Sequence, residues 1–173
     1  MRRFFGRSPI ETRANLKVRN VRSKNITLIA AMSCQKVWSI KLCEGSVNEH
    51  VFWQFLVQLI SDLRNSTISD ALLIMDNVRF HKTDYIMQLI AESGHSILFL
   101  PPYSPFLNPI EELFNQLKIV VRQKNPTTKI ELVDAIKNSA VEITPNHRRN
   151  YCNHAERYFP RFPSTSLLSR GQD

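Results

Sequence analysis

Two carboxylates, Asp76 and Glu111, are the side chains of this chain best placed to do chemistry. Asp76 directly follows the apolar run Ala71–Met75, and Glu111 falls in the first turn of a helix that Asn108 and Pro109 are predicted to open. The two residues are separated by 34 others. Carboxylates at the ends of strands and helices, brought to one sheet edge, are ligands that can hold Mg²⁺ for phosphodiester cleavage. The pair therefore indicates part of a two-metal site that cuts phosphodiesters.

Each carboxylate also has a purely structural explanation. Asp76 and Asn77 both favour the turn that ends a strand. Glu111 would complete a capping box with Asn108, as the third helical residue. Taken singly, each residue is better explained in this way than as a metal ligand.

The helix that carries Glu111 adds a little support for the chemical interpretation. A polar stripe with helical spacing runs beside its apolar stripe. The polar stripe consists of Glu111, Asn115, Lys118 and Arg122. A carboxylate followed by an amide and two bases suits a metal ligand beside a phosphate backbone, but it also suits an ordinary solvated face.

Hydrophobic periodicity predicts the elements that come before and include the first carboxylate. Residues 26–33 and 37–43 indicate an antiparallel hairpin. Ser46 and Glu49 predict the capping box of a first helix. The wholly apolar run Ala71–Met75 indicates a strand buried on both faces.

The second half of the chain continues the alternation of strands and helices. A helix from about Thr83 to Glu92 leads to a second buried strand, Ser96–Leu100, so the two strands should be parallel. Prolines then force an extended loop. Three helices are predicted to follow, from Asn108 to about Gln123, from Thr128 to about Glu142 and from Thr144 to about His154. The prediction is an α/β fold with a mixed sheet flanked by helices, in which residues 1–143 form the core and residues 144–173 a C-terminal helix and a ragged tail.

Composition and charge narrow the class of protein. The chain has 173 residues, 43% of them hydrophobic, which suits one domain, and it lacks an apolar run long enough for a membrane helix or a secretion signal. Its three cysteines have no metal-binding spacing, so we expect reduced and mostly packed thiols. Residues 1–25 carry eight basic residues and one acid. That excess of positive charge has two interpretations of equal weight. It indicates a nucleic-acid partner, or it serves only to keep the protein soluble.

Two motifs resemble a known family. LIMDN with the following His81, and then LPPYSPFLNPIEELF, are very similar to the catalytic-core signature of Tc/mariner-type transposases and their insertion-sequence relatives, which belong to the DDE superfamily. The resemblance covers roughly residues 1–125. It implies a ribonuclease-H-like fold and DNA cleavage and strand transfer that depend on Mg²⁺ or Mn²⁺. In this family Asp76 and Glu111 would be the second and third catalytic carboxylates and metal ligands, with Glu112 as the adjacent alternative to Glu111.

Other residues match the same motifs in supporting roles. Asn77, His81 and Asn108 fall at family positions, and His81 would orient a ligand, touch a phosphate or simply pack locally. Tyr103 and Ser104 would contact the DNA backbone or shape the proline loop, and the second role is the favoured one.

The sequence departs from the family in one respect that bears on activity. The resemblance implies a first catalytic Asp on a first strand, upstream of the segment that residues 2–14 resemble, and no Asp precedes Asp62. We therefore expect the fold to lack its first strand, metal binding to be weak or absent, and catalysis to be impaired. The alternatives are a non-enzymatic nucleic-acid-binding module and an inert transposon remnant.

Basic residues supply the predicted DNA contacts. The candidates are Arg2, Arg3, Arg7, Arg13, Lys17, Arg19, Arg22 and Lys24, together with Lys118 and Arg122. Such contacts give affinity without sequence reading. We expect DNA as the partner, a homodimer as one candidate assembly, no membrane association, and a nuclear location in a eukaryotic host or a cytoplasmic one in a bacterium.

Overall fold

A β-hairpin and a parallel strand pair are packed against helices. The structure, a computed structural model, describes Glu11 and residues 25–159. Its elements are β1 (Ile26–Met32), β2 (Val37–Glu44), α1 (Glu49–Asn65), β3 (Leu72–Met75), α2 (Asp84–Glu92), β4 (Ser96–Phe99), α3 (Pro109–Lys124), α4 (Lys129–Val141) and α5 (Pro145–Glu156), with short 3-10 helices at Arg79–Lys82 and Pro105–Leu107. The predictions for residues 1–24 and for the tail from Pro160 lie outside the described residues.

Capping residues set where the helices begin. The predicted capping box of Thr128 and Glu131 opens α4, and Thr144 caps α5. The prediction that Ser46 opens α1 is wrong. Asn48 caps this helix instead, because its Oδ1 accepts a hydrogen bond of 2.9 Å from the Val51 backbone N–H.

The strands confirm the mixed α/β class. The hairpin β1–β2 is antiparallel, with Leu28 opposite Leu42, and β3–β4 is parallel, with Leu73 opposite Ile97. Within residues 25–159 no ladder joins the two pairs, so the predicted mixed sheet is present as two separate halves.

Both strand pairs pack against the same helical core. Ile29 and Ala31 from β1 and Leu73 and Met75 from β3 contact or belong to this core. Its other buried residues come mainly from α1 and α2 and include Phe52, Phe55, Leu56, Leu59, Leu63, Ile86 and Ile90. The opposite face of β1 packs on α3 through Leu28 and Met32, against Leu113 and Leu117.

The second face of β3 departs from prediction. Leu72 is 56% exposed and Ile74 is 42% exposed, so the strand is not buried on both faces. Leu72 and Ile74 are exposed because only one face of the strand is covered. Helices α1 and α2 cover the face that carries Leu73 and Met75, and no element among residues 25–159 fully covers the face that carries Leu72 and Ile74.

A disulfide joins the β1–β2 turn to α5. Cys34 and Cys152 are bonded, with Cα atoms 6.0 Å apart, whereas Cys43 keeps a free thiol. The expectation of reduced thiols throughout is therefore wrong for this pair, since spacing in the sequence does not reveal a contact across 118 residues. Arg148 of α5 reinforces the junction by donating to the Gln35 carbonyl at 2.6 Å.

Among the described helices, none is both long and apolar enough to span a bilayer.

Candidate active site

The parallel strands β3 and β4 bring the two carboxylates to one cavity. Asp76 follows β3 directly, and the proline loop that follows β4 leads into α3, which carries Glu111 in its first turn. A cavity of about 490 Å³ opens between them. It is lined by Asp76, Asn77, Leu100, Pro101, Pro102, Tyr103, Ser104, Pro105, Asn108 and Glu111. Both predicted metal ligands and two of the three supporting residues thus share one site.

Asp76 is held by His81. The His81 Nδ1 lies 2.8 Å from the Asp76 Oδ1, while the His81 ring stacks on Phe52 with centroids 4.0 Å apart. The hydrogen bond from His81 lowers the pKa of the Asp76 carboxyl, and partial burial opposes this only in part. His81 therefore both packs locally and orients the carboxylate, which combines two of the roles that the sequence left open. His81 contacts Asp76 but is not one of the residues that line the cavity.

Glu111 is free to accept a ligand. Its side chain is exposed, and it forms no hydrogen bond or ion pair with any described residue. Asn108 caps α3 by accepting from the Ile110 N–H at 3.4 Å. The Asn108 backbone N–H donates to the Pro105 carbonyl at 3.0 Å and not to the Glu111 carboxylate. The structural explanation of Glu111 as part of a capping box does not hold.

Glu112, the alternative to Glu111, is engaged elsewhere. Its Oε1 lies 2.9 Å from Nδ1 of His154 in α5. The pair borders a second cavity of about 260 Å³, which Asn108 and Glu111 also line. Burial, and then the charge of Glu112, raise the pKa of the nearby Tyr151. The geometry thus favours Glu111 over Glu112 as the partner of Asp76. Sequence spacing gave no sign of His154, because helix α5 is brought to α3 only by tertiary packing.

The proline loop is anchored at both ends and exposed in the middle. Leu100 and Leu107 are 3% and 1% exposed, whereas Tyr103 between them is 99% exposed. The expectation that the Tyr103 side chain shapes the loop is wrong, since its ring packs against none of residues 25–159. Ser104 does shape it, as its hydroxyl donates to the Pro102 carbonyl at 3.3 Å.

Basic side chains lie on the elements that carry the two carboxylates or follow them along the chain. Lys118 and Arg122 are exposed on α3. Arg79 and Lys82 lie on the 3-10 helix after Asp76, and the Lys82 Nζ is 5.0 Å from the Phe99 ring centroid at the end of β4. The sequence did not single out Arg79 and Lys82, because His81 was the only residue of this segment that matched a motif. The candidate bases between Arg2 and Lys24 fall outside the described residues.

The cavity offers a small set of oxygen donors among the described residues. Residues 25–159 contain no group of three or more His, Cys, Asp or Glu side chains that could hold a metal ion together. Asp76 and Glu111 thus supply two carboxylates, with the amide of Asn77 beside them.

A carboxylate cavity at the ends of parallel strands, beside a hairpin and flanked by helices, defines a ribonuclease-H-like core of the DDE type. The chain belongs to the DDE superfamily endonucleases, whose family model matches residues 1–133. A comparison with curated proteins found no match.

Solved structures of Mos1 transposase share the fold. A pre-cleavage Mos1 transpososome has a TM-score of 0.79 at 14% identity, covering 100% of this chain and 52% of that one. The Mos1 paired-end complex with left transposon end gives 0.77 at 15% identity, covering 92% and 49%. The Mos1 catalytic domain gives 0.70 at 14% identity, covering 78% and 71%. The chain spans about half the length of the full transposase chains it matches.

Proposed function

We propose that this chain is the catalytic core of a transposase-type DNA endonuclease and strand-transfer enzyme. The observation that carries the proposal is the placement of Asp76 and Glu111 on one cavity in a DDE superfamily chain. The similar Mos1 structures support it, since they include a paired-end complex with a transposon end and a strand transfer complex.

The residues at the cavity fit a divalent ion such as Mg²⁺ or Mn²⁺. Hard oxygen ligands suit both ions, and solved structures of the Mos1 catalytic domain contain one or the other. Asp76 is 53% exposed and its pKa is lowered, so its carboxylate is charged at neutral pH and open to the cavity. When bound, the ion would activate a water or a DNA 3′-hydroxyl and neutralise the charge that develops on the phosphate.

The other residues of the chain position these groups. His81 holds the Asp76 side chain in one orientation. Asn108 caps the helix whose first turn presents Glu111. Lys82, Lys118 and Arg122 supply positive charge that attracts the DNA backbone.

We further propose that catalysis by this chain alone is impaired. The family resemblance implies a third catalytic carboxylate for two-metal chemistry, and none joins Asp76 and Glu111 among the described residues. Two donors support at most weak binding of a single ion.

A plasmid nicking assay with Mg²⁺ or Mn²⁺ tests both statements. We expect slow nicking by the wild type, none by Asp76→Asn or Glu111→Gln, and wild-type behaviour in Glu112→Gln, the matched control. Fast nicking that depends on Asp76 would contradict the impairment. Equal nicking by the wild type and Glu111→Gln, with no metal bound by either, would contradict the assignment of the site.

The second candidate function is that of a non-enzymatic DNA-binding module. It is favoured by the strong positive charge of residues 1–25. It predicts DNA binding that weakens steeply with salt and is indifferent to Mg²⁺. Binding that survives neutralisation of the bases from Arg2 to Lys24 would count against it.

A further inference from the structure

Tyr103 has a conformation that its own fold does not explain. Its φ is +58°, in the left-handed region that side-chain-bearing residues rarely adopt. The side chain is 99% exposed, and it makes no hydrogen bond, ion pair or ring contact with residues 25–159. A glycine would satisfy this turn with less strain. An aromatic ring at this position therefore adds nothing to the packing of residues 25–159. Residues with such strained backbones cluster at active sites and ligand-binding sites.

The loop restrains the backbone that carries the ring. Leu100 and Leu107 are buried on either side, at 3% and 1% exposure. Between them Pro101, Pro102 and Pro105 restrict the backbone, and the Ser104 hydroxyl closes the turn on the Pro102 carbonyl. The ring therefore projects from a rigid support, which lowers the entropy that a ligand must overcome on binding.

The position of the ring indicates which kind of ligand it would contact. Tyr103 lies on the wall of the cavity that Asp76 and Glu111 also line. A phosphodiester held at those carboxylates would bring the bases of its two nucleotides close to the cavity wall. An aromatic face is the group that proteins use to stack a nucleobase, and it does so for any base sequence.

We propose that Tyr103 stacks on an unpaired base next to the phosphate bound at Asp76 and Glu111. This inference rests on the proposed function and adds the state of the DNA that the site accepts. A base within a continuous duplex already stacks on both faces, so Tyr103 takes a nucleotide that is single-stranded, frayed or turned out of the helix. The site consequently prefers DNA ends and junctions over uninterrupted duplex.

The test is binding of fluorescein-labelled DNA, followed by polarisation in Ca²⁺ to suppress cleavage. The full chain is titrated with a 12-nucleotide single strand, a forked duplex and a fully paired duplex. Tyr103→Ala should weaken binding of the single strand and the fork by about tenfold or more, and it should change binding of the paired duplex by less than about twofold. Tyr103→Trp should keep wild-type affinity, because it restores the aromatic face.

Two controls separate a stacking role from a structural one. Tyr103→Gly removes the ring and relieves the positive φ, so it should lose stacking while the melting temperature stays equal or rises. Tyr85→Ala removes an exposed tyrosine whose ring stacks on Trp53, away from the cavity, and should leave single-strand binding unchanged. A Tyr103→Ala protein that binds the single strand and the fork like the wild type overturns the inference while leaving the proposed function standing. A wild type that binds none of the three DNAs overturns the proposed function, and this inference with it.

Discussion

The side chain of His81 is hydrogen-bonded to Asp76 and at the same time stacked on the core. Its Nδ1 lies 2.8 Å from the Asp76 Oδ1, and its ring lies on Phe52 with centroids 4.0 Å apart. Phe52 is itself 6% exposed, so movement of the histidine ring away from it would uncover a buried aromatic side chain. The carboxylate at the cavity is thereby tied to the hydrophobic core through one ring. An outer residue that orients a metal-binding carboxylate commonly tunes the metal affinity of the site.

The first prediction concerns this support of Asp76. His81→Ala should weaken Mn²⁺ binding by about tenfold, since loss of an outer-shell partner typically costs that much or more. His81→Asn, whose amide can still donate to Asp76, should recover part of the affinity. Mn²⁺ binding is measured by electron paramagnetic resonance, with circular dichroism to establish folding. Equal affinity in the wild type and both variants would show that His81 has no positioning role.

The second prediction is a pH dependence of stability. The hydrogen bond from His81 lowers the pKa of Asp76 in the folded state below its ordinary value of about 3.9. The folded state therefore gains stability at pH values above about 4, and this gain is lost as pH falls through the lowered pKa. Because Asp76 is half exposed, screening by water should keep the gain below about 1 kcal/mol.

Urea unfolding of the wild type and Asp76→Asn between pH 6 and pH 3 measures this gain. The difference in midpoint should shrink below about pH 4, and in a His81→Ala background it should be small at every pH. A difference that grows toward low pH would have the opposite sign and contradict the prediction.

Local patterns in the sequence predicted well the strand before Asp76 and the helix that carries Glu111. The apolar run before Asp76 and the Asn108–Pro109 start of α3 are signals carried by neighbouring residues, and the βαβ order fixes which strand ends lie together. The hairpin, the parallel pair and the caps at Thr128 and Thr144 follow for the same reason.

Contacts between distant segments were not predictable in this way. The cap at Asn48 depended on which of two suitable polar residues met the first turn of α1. The exposure of Leu72 depended on which layers cover β3, and not on its own apolar neighbours. The pairing of Glu112 with His154 depended on helix packing, which spacing along the chain does not encode.

The third prediction tests how α3 is anchored beneath Glu111. Leu113 is fully buried at 0% exposure and packs with Leu117, Ile143 and Tyr151. Leu113→Ala should lower the free energy of unfolding by about 2–5 kcal/mol, through lost burial and the cavity left behind. The matched control is Ile119→Ala on the same helix, which is 47% exposed and should cost much less. Chemical denaturation gives both values, and equal losses would mean that α3 is not anchored through Leu113.

The fourth prediction concerns the disulfide between Cys34 and Cys152. The bond closes a loop across 118 residues, so it should contribute about 2–4 kcal/mol by restricting the unfolded chain. Cys152→Ser, or reduction of the wild type, should lower the free energy of unfolding by this amount and lower the melting temperature accordingly, whereas Cys43→Ser should leave both nearly unchanged. Helix α5 should loosen first, because Arg148 and the disulfide both hold it to the β1–β2 turn. The contact between His154 and Glu112 would then be lost, leaving Glu112 free beside Glu111. Thiol titration of the oxidised, unfolded protein should find one free cysteine; finding three would show that the bond does not form.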